Sequence, residues 1–255
     1  MAVETTQQEK ATYWQHHRVK QQDGSLVLNY RTLRNAIGFI GVGLPIALFV
    51  GGKLISGQWP QSVSGYYFSP VRNVLVGALC TVSVFLMAYS GYNNLDRWVT
   101  NLAGAFALGV AFFPTANTAF HPHWISILHH VFSTLMLIFL ALMSLQFART
   151  ESTRVGDLKH QLCWMWRTFW RGASEPGPPS VNAQAEADKV KKKRGRNKVY
   201  VWCARLIIVW IICAGVQNLI HAPSLHLFFW CEVFALWTFS TAWLTKGQVR
   251  RRREI

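Results

Sequence analysis

Any chemistry in this chain would rest on one carboxylate and a few imidazoles set in apolar sequence. Glu232 stands inside FWCEVFALW, and His129 and His130 stand together inside ISILHHVF. An ionisable side chain within a membrane costs several kcal/mol unless it faces a cavity or a partner, so each of these residues marks a candidate site. Arg72 and Asn73 open another apolar run, with Tyr66 and Tyr67 just before it. Glu232 then needs a partner at matching depth, either one of the two histidines or Arg72 pointing inward. Such a pairing would hold the carboxylate charged, whereas burial without one would favour its protonated form.

Three arrangements fit these residue types. Neutral imidazoles and a carboxylate are usual zinc ligands, and zinc with an open position can activate water for hydrolysis. The metal candidates are His129, His130 and Glu232. Their spacing weighs against this reading, because adjacent helical residues point about 100° apart and no HxxxH or HExxH pattern is present. The second arrangement is an outward-opening pocket for a lipid headgroup or small polar ligand, lined by Arg72, Asn73, His129, His130, Glu232, Tyr66 and Tyr67. The third is a buried polar latch of Glu232, Arg72 and one histidine that fixes helix packing. Pocket and latch together are favoured over the metal.

These groups must be positioned by membrane-spanning helices. Between positions 35 and 148 the charged side chains are Lys53, Arg72, Asp96 and Arg97 alone, which no water-facing surface of that length would tolerate. A span needs roughly 20 apolar residues. Predominantly apolar runs at 35–52, 71–92, 98–148 (divided near 114–122), 199–220 and 227–244, broken only by Arg72, Arg205 and Glu232, predict six transmembrane helices, an all-α polytopic bundle. The first carries Pro45 as a tolerated kink and Gly43, Ala47 and Gly51 for close helix approach. In the third, Asn101, Ala105 and Gly109 predict a second close contact, with Asn101 bonding across it. The first run follows some thirty polar residues and is expected to stay in place as a signal anchor. The five cysteines form no CxxC pair and read as small buried hydrophobes.

The predicted organisation is a cytoplasmic segment at 1–34, spans one to four within 35–148, a cytoplasmic loop at 149–198, spans five and six within 199–245 and a basic tail at 246–255. With both termini in the cytoplasm, only Lys53 and Arg72 of the 26 Lys and Arg residues fall outside, as the positive-inside rule requires of a cytoplasmic-membrane protein. The same orientation puts His121, His123, His129, His130, His221 and His226 on or just below the outer face. The net charge of +15 is then explained by anionic headgroups beside the basic segments, and no nucleic acid is needed. Within the long loop, KHQLCWMWRTFWR at 159–171 predicts an amphipathic helix in the cytoplasmic interface. The stretch 173–196 reads as a flexible linker ending in a basic run. Arg205 is expected to snorkel to that interface, Asp96 and Arg97 to form an interfacial pair in a short turn, and Trp59, Tyr66 and Tyr67 to join an outer aromatic belt.

SVSGYYFSPVRNVLVG at 62–77, the run from FLMAYSGYNNLDRW to AFFPT at 85–115, RNKVY at 196–200 and FWCEVFALWTFSTAWLTKG at 229–247 together resemble an uncharacterised family of six-span bacterial membrane proteins. The resemblance covers most of the membrane part and implies no known activity. In that family S-x-x-x-H followed by R-D is common. The pattern is faintly similar to the Ser, His and Asp arrangement of the alkaline ceramidase and adiponectin receptor hydrolases, which hold zinc among their helices. Here Ser64 and Arg72 match, but Phe68 and Asn73 stand where the His and Asp would be, which lowers the hydrolase reading. The leading expectation is lipid-headgroup or small-ligand binding. A membrane-embedded metal-dependent lipid hydrolase is the alternative, followed by a transporter or a membrane assembly protein. The expected partners are membrane lipids, with a homo-oligomer also compatible.

Overall fold

The computed structural model describes position 32 and residues 35–57, 59–89, 94–115, 123–148, 158–172, 183–220 and 226–251. Among the described residues the chain is all-α, and no strand occurs. The helices are α1 (Asn35–Ser56), α2 (Arg72–Met87), α3 (Asn94–Phe112), α4 (His123–Phe147), α5 (Leu158–Arg171), α6 (Ala183–Ile220) and α7 (Leu227–Arg251), with a 3-10 helix at Ser64–Phe68 between α1 and α2.

Four helices hold stretches long and apolar enough to cross a membrane: Asn35–Ser56, His123–Phe147, Lys193–Gln217 and Leu227–Lys246. Their surfaces call for lipid. Only 28 % of the apolar window of α4 and 44 % of that of α7 are buried inside the bundle. The same holds for the other two, where Phe39 and Leu54 of α1 and Ile212 of α6 stand at 65, 81 and 58 % exposure, which water would penalise at roughly 25 cal/mol per Å². This is an integral membrane protein. α2 is shorter, at 16 residues, and α3 has 19 but opens on Asp96 and Arg97.

Packing inside the bundle follows small residues and paired hydroxyls, as expected where lipid removes the hydrophobic drive between helices. α3 lies between α2 and α4, while α6 packs on α4 and α7. The buried Ser83 hydroxyl on α2 donates to the Gly104 carbonyl on α3 at 2.7 Å, and Gly109 lies under the ring of Phe132 on α4. On α1 the close approach to α7 occurs at Gly38, under Leu244, and at Gly41, under Ser240, where Trp237 Nε1–H donates to the Val42 carbonyl at 3.1 Å.

That corrects several sequence expectations. Gly43 has open space around it and Ala47 is exposed, although Gly51 does meet Val71. On α3, Ala105 is exposed and the buried Asn101 Oδ1 has no hydrogen-bond partner, so the contact face runs through Ala103, Gly104 and Ala107 instead. Each stripe has helical spacing, so period alone did not choose between them.

The basic linker also differs. Residues 183–196 continue α6, which reaches 38 residues or about 57 Å and exceeds any bilayer core. AQAEADKVKKKR is built from strong helix formers, and the Pro residues all precede it. Asp96 and Arg97 lie in the first turn of α3, with Asp96 buried and Arg97 exposed. The cysteines are all free; Cys203 and Cys231 are buried, but Cys163 and Cys213 are exposed. α5 docks through buried Met165 and Thr168 and turns Leu162, Trp166 and Trp170 outward. Arg205 on α6 donates from Nε to the Phe169 carbonyl at 2.7 Å and from Nη2 to Trp170 at 3.0 Å, satisfying carbonyls that the C-terminus of α5 leaves open.

Candidate functional site

Glu232 lies on the second turn of α7, flanked by Phe229 and Val233, each 1 % exposed and turned into the bundle. That register aims the carboxylate at the α1–α2 connection. There the chain enters the 3-10 helix through Val63, whose start leaves backbone N–H groups without intrahelical acceptors. Val63 N–H donates to Glu232 Oε2 at 2.6 Å, and the Ser64 hydroxyl makes a long contact of 3.5 Å to Oε1. The Ser64 backbone N–H also bonds the carboxylate. One side chain therefore pins a loop that lies 169 residues away in the sequence. A hydrogen bond of this kind contributes about 0.5–1.5 kcal/mol net.

Aromatic rings finish the same clamp. Tyr66 is fully buried, with Gly52 of α1 close enough that a Cβ there would strike its ring, and with Phe229 in edge contact at 6.3 Å. Burial raises the Tyr66 phenol above its ordinary 10.0. Tyr66 is thus a core residue and not part of an exposed aromatic belt. Trp59 stacks on His226 at 4.0 Å with 5° between the planes, and a His226 Nδ1 to Pro60 carbonyl contact at 3.3 Å joins the start of α7 to the same loop. His226 adopts φ 53°, the left-handed conformation of a tight turn into the helix.

Arg72 and Tyr67 form a separate, exposed feature. The Arg72 guanidinium lies over the Tyr67 ring at 4.1 Å and donates from Nη2 to the Tyr67 hydroxyl. Asn73, also exposed, follows in the first turn of α2, which has no side-chain cap. Arg72 N–H is taken by the Ser69 carbonyl and Val74 N–H by Val71.

The histidines belong elsewhere. Buried His129 on α4 contacts the Phe113 carbonyl through Nδ1 at 2.6 Å, where the chain leaves α3, and His130 is exposed beside it at 5.8 Å between ring centroids. Among the described residues no hydrogen bond or ion pair joins His129, His130 or Arg72 to Glu232. The predicted pairing of Glu232 with a histidine or Arg72 is replaced by backbone donors of the loop. Among the described residues no group of three or more His, Cys, Asp or Glu is gathered to hold a metal ion, so the zinc candidates His129, His130 and Glu232 are not brought together. His121 and His221 lie outside the described residues.

Of the seven predicted pocket residues, the structure thus unites Glu232 with Tyr66 in a latch and Arg72 with Tyr67 and Asn73 in a surface patch, and sets His129 and His130 apart. Val63 was missed because its contribution is a backbone N–H, which carries no residue signature. Comparison with protein-family models, curated proteins and solved structures returned no match.

Proposed function

We propose that this chain is a six-span protein of the cytoplasmic membrane, with both termini in the cytoplasm, that binds an anionic lipid headgroup or small polar anion at Arg72, Asn73 and Tyr67 on its outer face. The six-span reading adds α2 and α3 to the four long apolar helices. The distribution of Lys and Arg supports its orientation. A cysteine introduced at Gln61 is then labelled by an impermeant maleimide on intact cells, while one replacing Arg196 is labelled only after permeabilisation. The reverse pattern would invert the topology.

One observation carries the binding reading: an exposed guanidinium held over an aromatic ring and bonded to its hydroxyl at the first turn of an apolar helix. The ring and hydroxyl restrict the Arg72 side chain, so less rotamer entropy remains to be lost when it meets a phosphate oxygen, and its planar donor fork suits that oxygen geometry. The helix dipole favours an anion at the same end. Phe68 and Val74, both exposed, offer apolar surface on which an acyl chain can lie.

The test is lipid retention measured by native mass spectrometry on protein in phosphatidylglycerol nanodiscs. Arg72→Ala is expected to lower retention about tenfold, as loss of a charge-assisted contact implies. Arg72→Lys should recover part of it and His130→Ala none of the loss. Competition by inorganic phosphate would identify the free anion as sufficient, whereas insensitivity to phosphate assigns recognition to the whole lipid. Unchanged retention in Arg72→Ala would overturn the reading.

A further inference from the structure

The opposite end of the bundle carries a second polar site. Lys246 lies 14 residues beyond Glu232 on α7, about 21 Å along the helix. There a cavity of about 20 Å³ is lined by Tyr89, by Asp96 and Thr100 of α3, by Met143, Gln146 and Phe147 of α4, and by Lys246 of α7. Gln146 is only 8 % exposed, and its Nε2 has no hydrogen-bond partner. Asp96 is equally buried. The Lys246 ammonium donates to the Phe147 carbonyl at 3.4 Å and stands 5.8 Å from the Phe147 ring centroid.

We propose that this cavity is a water-binding site, in which one molecule accepts from the Gln146 amide, donates to Asp96 and ties α3 to α4 beside Lys246 of α7. Size and chemistry select the ligand. A water needs roughly 10–15 Å³ of such space and two to four polar partners, both met here. A metal cation would sit beside the Lys246 ammonium, and an anion beside the Asp96 carboxylate. An apolar guest would leave the buried Gln146 amide without an acceptor. Water is neutral, both donates and accepts, and fits. Thr100 lines the wall as a further acceptor, since its own hydroxyl proton goes to the Arg97 carbonyl at 3.0 Å.

Met143, 1 % exposed, lines the cavity, and Met136, 8 % exposed on the same helix, does not, which provides an internal comparison. Hydroxyl radicals made by X-ray radiolysis arise in place from a bound water and oxidise the side chains beside it. For the full chain in nanodiscs, Met143 is expected to oxidise several-fold faster than Met136. After rapid mixing into ¹⁸O water, the label should reach Met143 later than it reaches solvent-exposed side chains. Gln146→Leu should return Met143 to the Met136 rate. Equal protection of the two methionines in the unsubstituted protein overturns the proposal without needing the variant. So does ¹⁸O arrival without delay, which would mean open solvent, and so does a Met143 rate that Gln146→Leu leaves unchanged.

Discussion

Glu232→Leu releases the α1–α2 connection from α7, and amide hydrogen exchange across residues 60–69 rises sharply while exchange in α4 stays as it was. The variant removes the acceptor of Val63 N–H at 2.6 Å and leaves that donor in a residue buried between helices. An orphaned buried N–H costs about 1–3 kcal/mol. Glu232→Gln keeps a neutral oxygen at the same position, so its exchange rates fall between those of the unsubstituted chain and Glu232→Leu. His226→Ala removes the Trp59 stack and the Pro60 contact but leaves the Val63 bond, and loosens the loop less than Glu232→Leu. Matching exchange in Glu232→Leu and the unsubstituted protein would return the carboxylate to a role other than latch.

Gly104→Ala lowers the unfolding midpoint in detergent, and Gly77→Ala does not. A Cβ at Gly104 would stand 2.9 Å from the Ser83 carbonyl oxygen and 2.9 Å from Met87 Cγ. The methionine can yield, but the carbonyl belongs to the backbone of α2, so the two helices must separate. Separation also stretches the Ser83 hydroxyl bond to Gly104, now 2.7 Å. Overpacking of this kind costs about 1–3 kcal/mol. Gly77 has open space where its Cβ would be, so there the substitution only removes backbone freedom and is expected to raise helix stability by about 0.5–1 kcal/mol. Equal responses at the two sites would mean that α2 and α3 do not meet at Gly104.

The helices themselves were legible because each is written into a contiguous run of residues. The predicted runs at 35–52, 199–220 and 227–244 fall within α1, α6 and α7, and α4 occupies the second half of the long uncharged stretch. α5 was legible too, since tryptophans and cations alternate at helical spacing through residues 159–171. The extension of α6 back to Ala183 is masked in the sequence by its charge and by the Pro-rich stretch before it, although Ala, Glu and Lys have high helix propensity. Glu232 was legible as a residue that needs a partner, but its partner was not.

Residue order was sufficient for the all-α class and the membrane-embedded character, because a medium without water forces each backbone N–H to bond a carbonyl four residues back, and that demand is answered locally. Packing settled the rest. Whether α1 meets α7 through Gly38 and Gly41 or through Gly43 and Ala47, and whether Glu232 meets a histidine or Val63, depends on groups far apart in the chain. Several faces of one helix can share the same period, and a backbone donor has no residue type to betray it, so those choices exist only once the helices are in contact.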